Sequence, residues 1–264
     1  MDHPEKLVVF GIFIGFALIE AARTGFFRKD GATRGDLWAD VISYIFIPGL
    51  IAPTVLLVSF ELAARVAPQY ENALAGAPWW AALGLFLIFD DMMQYWWHRA
   101  SHTFPFLYNL HRAHHSAEYM SVRIVYRNNL FYYMMMPSLW FDGVLIYLGL
   151  GWAYVGFIIV KMGVIIGAHS DFRWDEKLYS VPALRPLMWV VERVISTPST
   201  HAMHHGRHAS DGVTHYKGNY GNLLFFWDVL FGTAKISRAY PPAYGIENLE
   251  PISWKRQIFW PVIR

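Results

Sequence analysis

Histidines recur in this chain at spacings that a helix turns into one-sided clusters. His98 and His102 stand four residues apart, His111, His114 and His115 follow, and His201, His204 and His205 repeat the second spacing. On a helix, positions i, i+3 and i+4 lie on one side. Each motif is therefore expected to point two or three imidazoles in one direction. Burying such rings without partners costs of order 1–3 kcal/mol each, and a metal supplies the missing partner. Eight ligands of this kind are enough for two ions. Any fold for this chain must then bring three distant segments to one place. His3, alone near the start, is expected to be an ordinary structural histidine.

The rest of the sequence restricts where that place can be. Of 264 residues, 55% are hydrophobic and 16% charged, against about 25% charged in a typical soluble domain. Aromatics reach 17%, with 12 Trp, and both figures point to a membrane protein. A formal net charge of +2 and the lack of a basic run argue against a nucleic-acid partner. There is no cysteine, which excludes disulfides, thiolate zinc and cysteine-held iron–sulfur clusters. Only His, Asp, Glu or Asn remain to hold a metal.

Five apolar segments are expected to be membrane helices, about 7–22, 41–66, 79–97, 130–149 and 152–168. The first is short, contains Glu20, and is followed by no small-residue cleavage site, so it reads as a retained helix. Residues 23–40 read as a polar loop, and Pro48, Gly49 and Pro53 are expected to kink or break the second segment. Trp79–Trp80 open the third as an aromatic belt would, and Trp96–Trp97 end it directly against His98. Gly149–Leu150–Gly151 should join the last two as a tight antiparallel hairpin. Beyond Asp171 no stretch could span, and Pro182, Pro186 and Pro198 divide that region into short helices and turns. The stretch from Trp254 to Trp260 mixes bases and aromatics like an interfacial anchor.

The basic residues set an orientation. Four lie in 23–40 (Arg23, Arg28, Lys29, Arg34), four in 98–129 (Arg99, Arg112, Arg123, Arg127) and eleven beyond 170. The 67–78 and 149–151 connections have none. The positive-inside rule then puts the N-terminus outside and all three histidine motifs and the C-terminus in the cytoplasm. The expected fold class is an all-α integral membrane protein, a single domain over 1–264. Four to five transmembrane helices would carry a cytoplasmic helical cap holding the dimetal site.

Imidazole suits Zn, Cu, Fe and Ni alike. Soluble di-iron bundles use Glu together with Glu-x-x-His motifs, and here Glu is absent from the motif positions. Ligand type therefore leaves the metal open. The three motifs, however, resemble the histidine boxes of the fatty acid hydroxylase/sterol desaturase superfamily. Asp91 followed by Tyr95-Trp96-Trp97-His98-Arg99 is similar to that family's lead-in, and His111 to Ser116 to its second box. Thr197-Pro198, Asn219-Tyr220-Gly221, Trp227-Asp228 and Phe231-Gly232-Thr233 resemble its C-terminal signature. The similarity covers about residues 85–235. It implies two Fe ions (with Zn possible in a purified sample), O2 as co-substrate, and hydroxylation or desaturation of a lipid.

The resemblance also implies a ligand role for His169, against the alternative of a helix-end histidine facing headgroups. His208 and His215 are weaker candidates, and Gly206 is a possible end to the helix before His208. Lys217-Gly218 stands where the family often has an acid. Asp91, two turns before His98, is expected to orient a ligand histidine from behind, whereas Asp90 points elsewhere and could be solvated. Asn219 and Asp228 are further candidates for such support. Phe131 to Met136 read as core or lipid-facing rather than as a substrate box.

The expected function is O2-dependent hydroxylation of an apolar lipid C–H bond. A sterol or fatty-acyl desaturase is the alternative on the same scaffold, and a metal transporter or sensor a remote one, because the ligands gather at one end of nearly ligand-free spans. Fatty acid, alkylglycerol, sterol and carotenoid substrates all remain open. No dinucleotide fingerprint, flavin domain or haem domain is evident in the 264 residues. Electrons are thus expected from a separate protein, a reductase with ferredoxin or cytochrome. The expected location is a bacterial inner membrane, or the endoplasmic reticulum in a eukaryote.

Overall fold

The computed structural model describes residues 4–263 and is helical throughout; His3 lies outside the described residues. The first apolar run forms α1 (Pro4–Arg23), with Leu7, Phe10, Ile14 and Leu18 exposed on its outer side. Contiguous exposed apolar surface of this kind belongs against lipid. Its inner side, with Ile12, Phe13 and Phe16, packs on α9 (Gly151–His169).

The polar loop is shorter than the sequence implied. Thr33 caps α2 (Arg34–Phe46): its hydroxyl accepts from the Asp36 amide, and the Asp36 carboxylate accepts from the Thr33 amide at 2.8 Å. This reciprocal pairing satisfies two orphan donors and starts the helix well before residue 41. Pro48 does not break the segment. The helix loosens into a π-helical turn, Ile47–Ile51, and continues as α3 (Ala52–Val66). The wider turn accommodates the amide that proline lacks. At Gly143 of α8 (Pro137–Leu145) the two backbones nearly touch: a Cβ there would lie 2.5 Å from the Leu56 carbonyl of α3. Only glycine permits so close a crossing.

The third segment runs as α4 (Trp79–Phe86), a second π-helical turn (Leu87–Met92) and α5 (Met93–Ser101). The fourth is interrupted. A five-residue α7 (Leu130–Met134) stops before Pro137, where α8 begins. The chain reverses at Gly149, whose φ of 98° suits glycine alone. The expected hairpin forms, but its helices are wedged apart: α8 packs on the Leu87–Met92 turn and α9 on α4. Arg34–Val66 is long and apolar enough to cross a membrane, and so is Pro137–His169 as a continuous run, although that run turns back at Gly149.

The two connections without lysine or arginine meet at one end. Asn72 and Leu74 donate to the Tyr147 and Leu148 carbonyls at 3.1 and 2.8 Å, and Tyr147 Oη donates to the Ala67 carbonyl. The basic connections meet at the other. Glu20, fully buried, accepts from Ser121 Oγ (2.6 Å) and from the Val122 and Asp171 amides. Arg127 pairs with Asp36 at 2.5 Å and Arg123 with Asp40 at 2.8 Å, tying α2 to the segment after the second motif.

Asp90 is not solvated. It is fully buried and bonds Lys161 of α9 at 2.6 and 2.5 Å. A charge in so apolar a setting persists only when paired. The short helices after α9 are α10 (Trp174–Tyr179), α11 (Arg185–Val194), α12 (Pro198–His204), α13 (Phe226–Leu230) and α14 (Trp254–Phe259). The Trp254–Trp260 stretch also packs into the fold. Ile258 is buried with Ala39 and Ala113, and Asn129 donates to the Gln257 and Trp260 carbonyls.

Candidate metal centre

Four elements deliver the histidines. His98 lies near the end of α5 and His102 caps it; His111, His114 and His115 occupy the last turns of α6 (Pro105–His115). His169 ends α9, and His201, His204 and His205 sit on or just after α12. Gly206 does end that helix: a Cβ there would clash with Thr214 Oγ1. The His205 carbonyl then accepts from the Gly245 amide at 3.2 Å.

These nine rings form two groups, each with its ligand atoms within 4.8 Å of one another. One group is His98, His102, His111, His115 and His204, and the other is His114, His169, His201 and His205. All are buried except the partly exposed His102. Each motif sends two of its rings to one group, as the helix spacing implied, and the second and third motifs send their remaining histidine to the other. In the second motif the i, i+4 pair His111/His115 joins the first group and His114 the second. In the third motif the sharing is reversed, with His201/His205 in the second group and His204 in the first. Neighbouring helix positions differ by about 100°, so His114 and His115 open onto different sides of one shared wall. Across that wall the His115 and His205 rings stack, 4.4 Å apart.

The hydrogen bonds fix which nitrogen faces inward. His98 Nδ1 donates to the Tyr220 carbonyl at 2.8 Å and His204 Nδ1 to the Gly218 carbonyl at 2.7 Å. A carbonyl only accepts, so both Nδ1 atoms carry the proton and both Nε2 atoms are bare. Those bare atoms face each other at 2.9 Å. His114 and His169 repeat the arrangement. Their Nδ1 atoms donate to the Ile124 and Arg127 carbonyls and to the Ile165 carbonyl, and their Nε2 atoms stand 3.3 Å apart. Lone pairs at that distance repel unless a cation lies between them.

A proton is a poor candidate for that cation. Burial pushes His98 down to about 4, and burial holds His204 and His114 well below the usual imidazole range. A metal ion resolves the conflict. The donor set thus fits metal binding, with imidazoles and no carboxylate in either group. His208 and His215 stay outside both groups. The first meets Glu247 at the surface and the second the Thr233 carbonyl.

The supporting residues act mostly through backbone. Asp228 accepts from the Tyr220 and Gly221 amides (2.9 and 2.6 Å) and from Thr233 Oγ1. It thereby sets the carbonyl that receives His98. Asn219, at φ 56°, donates to the Thr200 and Lys235 carbonyls. Asp91 touches no histidine through its hydrogen bonds: it accepts from the Leu223 and Leu224 amides and from Trp227 Nε1 (2.8 Å). It holds the far end of the same loop. The π-helical turn around Asp91 alters the register on which its expected alignment with His98 rested.

Several contributors carried no signal in the sequence. Gly218 supplies the carbonyl that receives His204. A Cβ there would lie 2.1 Å from His215 Nε2 and 2.4 Å from the Thr233 carbonyl, so a glycine is needed for its carbonyl to reach His204. His111 Nδ1 donates to Asn128 Oδ1 at 3.0 Å. Tyr132 stacks on His111 with centroids 4.7 Å apart, while Met134 and Met135 of the same stretch are exposed. Asp175, fully buried, accepts from the Ser199 amide at the start of α12. A side-chain acceptor reached through a fold gives no local pattern; only the NYG run could have pointed to this loop.

A family model described as Fatty acid hydroxylase matches residues 83–233. The chain is 27% identical to an alkylglycerol monooxygenase of Danio rerio over 229 residues, 84% of this chain and 46% of that protein. It is 26% identical to the alkylglycerol monooxygenase of Homo sapiens over 257 residues, 95% of this chain and 53% of that protein. A fatty acid hydroxylase of Lecanicillium sp is 29% identical over 178 residues, 62% of this chain and 46% of that protein. The chain spans about half the length of these curated relatives. No solved structure matches.

Proposed function

The chain belongs to the fatty acid hydroxylase family, and from that premise we propose that it is a di-iron lipid monooxygenase, hydroxylating an unactivated C–H bond with O2. The observation that carries this reading is the pair of adjoining imidazole groups whose bare Nε2 atoms converge at 2.9–3.3 Å. In the proposal His98, His102, His111, His115 and His204 hold one iron, and His114, His169, His201 and His205 the other. Bound there, the metal pair supplies the oxygen-activating redox chemistry that no side chain can provide.

The chain's own residues do the remaining work. The Tyr220, Gly218, Ile124, Arg127 and Ile165 carbonyls and Asn128 Oδ1 keep the Nδ1 protons in place, so every ring so held presents Nε2. Tyr132 covers the His111 ring and excludes water from that side. In the proposal the basic end lies in the cytoplasm and the metal pair at the inner leaflet. A lipid then reaches it sideways from the bilayer. Two electrons per turnover come from a separate donor protein.

Among relatives, the names alkylglycerol monooxygenase and fatty acid hydroxylase favour hydroxylation over desaturation and a substrate with a long alkyl chain. The test is turnover by the iron-loaded full chain with a chemical reductant and isotopically labelled O2, offered alkylglycerols and fatty acids. A product heavier by one labelled oxygen supports the proposal. A product lighter by two hydrogens makes the protein a desaturase, and metal uptake into vesicles with no oxygen-dependent product makes it a transporter.

A further inference from the structure

Two hollows adjoin where the end of α1 meets α9 and α10, and they differ in character. The first, about 320 Å3, is apolar: Phe16 and Ile19 of α1 form one wall, Gly163 and Gly167 of α9 the other, and Trp174 closes it. The second, about 570 Å3, is polar and holds Arg23, Arg173, Lys177, Asp171 and Glu176. Phe172 belongs to both. Each is as large as the sites of about 300–1,000 Å3 that take small ligands.

Charge at the polar end is unbalanced. Arg23 lies 5.4 Å and Lys177 4.8 Å from the centre of the Phe172 ring, and neither has a carboxylate partner among the described residues. Asp171 is already bonded to Lys29 at 2.8 Å, and Arg173 is 3.9 Å from Asp171. Glu176, exposed, is the remaining acid at the mouth. Counting Lys29, which also lies 3.8 Å from Glu20, four cations face three carboxylates. Two cations on one aromatic ring repel each other and gain when an anion joins them.

We propose that this amphipathic pair of hollows binds one bilayer lipid with an anionic headgroup, its phosphate against Arg23 and Lys177 and one acyl chain in the groove between α1 and α9. The glycines make room for the chain: a Cβ on Gly163 would meet only Ile12, at 3.8 Å. Trp174 Nε1 donates to the Gly167 carbonyl at 3.0 Å, so its ring lines the groove with no polar atom left over. None of the side chains in either hollow hydrogen-bonds to a histidine of the two groups. Gly167 lies two residues before His169 and Ser196 Oγ donates to the Gly221 carbonyl, so the groove adjoins the metal centre without supplying a ligand to it.

The experiment uses the full chain, purified in detergent and offered phosphatidylglycerol and phosphatidylcholine with identical acyl chains, the retained lipid being counted by native mass spectrometry. One phosphatidylglycerol per chain is expected, preferred by about tenfold or more. Arg23→Gln/Lys177→Gln should abolish the preference but not chain binding, and Gly163→Phe should reduce retention of both lipids. Thermal unfolding midpoints identify variants that simply fail to fold; Gly163→Leu then replaces Gly163→Phe, and single Gln variants replace the double. Equal retention of the two lipids, a preference unchanged in the Gln variants, or displacement by inorganic phosphate alone would overturn the proposal.

Discussion

Two inward-facing rings of the larger histidine group hang on four residues, Gly218 to Gly221. The Gly218 and Tyr220 carbonyls receive His204 and His98, and Asp228 holds the Tyr220 and Gly221 amides with both of its oxygens. Asp228→Asn would keep the shape but turn an amide N–H2 toward a backbone donor, at a cost of about 1–3 kcal/mol. The expected result is a folded protein whose metal affinity falls by about 10–100-fold, read by competition with a chelator. Unchanged affinity would mean that the loop is held by Asn219 and Asp91 alone. The histidines themselves were legible from spacing, because ligands that share a helix leave a local pattern. Their acceptors were not, since a main-chain carbonyl looks the same at every residue type.

At the level of elements, α12 carries two of the nine rings within its seven residues and a third, His205, at its C-cap. So short a helix has little stability of its own and depends on its caps. Thr197 accepts from the Thr200 amide, and Asp175, reached from α10, accepts from the Ser199 amide at 2.8 Å and from Tyr240 Oη. Asp175→Asn removes the charge that favours a helix N-terminus. It should lower the unfolding midpoint by about 2–4 °C for a loss of about 1 kcal/mol, with the metal site weakened in parallel. The Thr197-Pro198 start of this helix could be read from the sequence, whereas the Asp175 contact, 24 residues away, could not. The helical segments were likewise legible from apolar runs. Their π-helical turns, the break before Pro137 and the early start at Thr33 were not, because each depends on a cap or a neighbour rather than on hydropathy.

For the molecule as a whole, acid should act on the metal end. His98 titrates at about 4 when folded, against about 6.5 when unfolded, so in between the unfolded chain binds more protons. Stability from this group is complete above about pH 6.5 and declines as pH falls toward about 4; protons compete with metal in the same direction. Equilibrium dialysis should find full metal content from neutral pH down to about pH 5 and release as pH falls through about 4, and complete release already at about pH 6 would contradict the burial of these rings.

The exchange of partners between the second and third motifs has one more consequence. Because His114 and His115 are consecutive, as are His204 and His205, the gap between the two ions is set by the pitch of a helix and not by any hinge. Neither pocket can be dismantled without rotating the wall of its neighbour. The centre should accordingly fill and empty as one cooperative unit, with half-occupied molecules scarce at every concentration of metal.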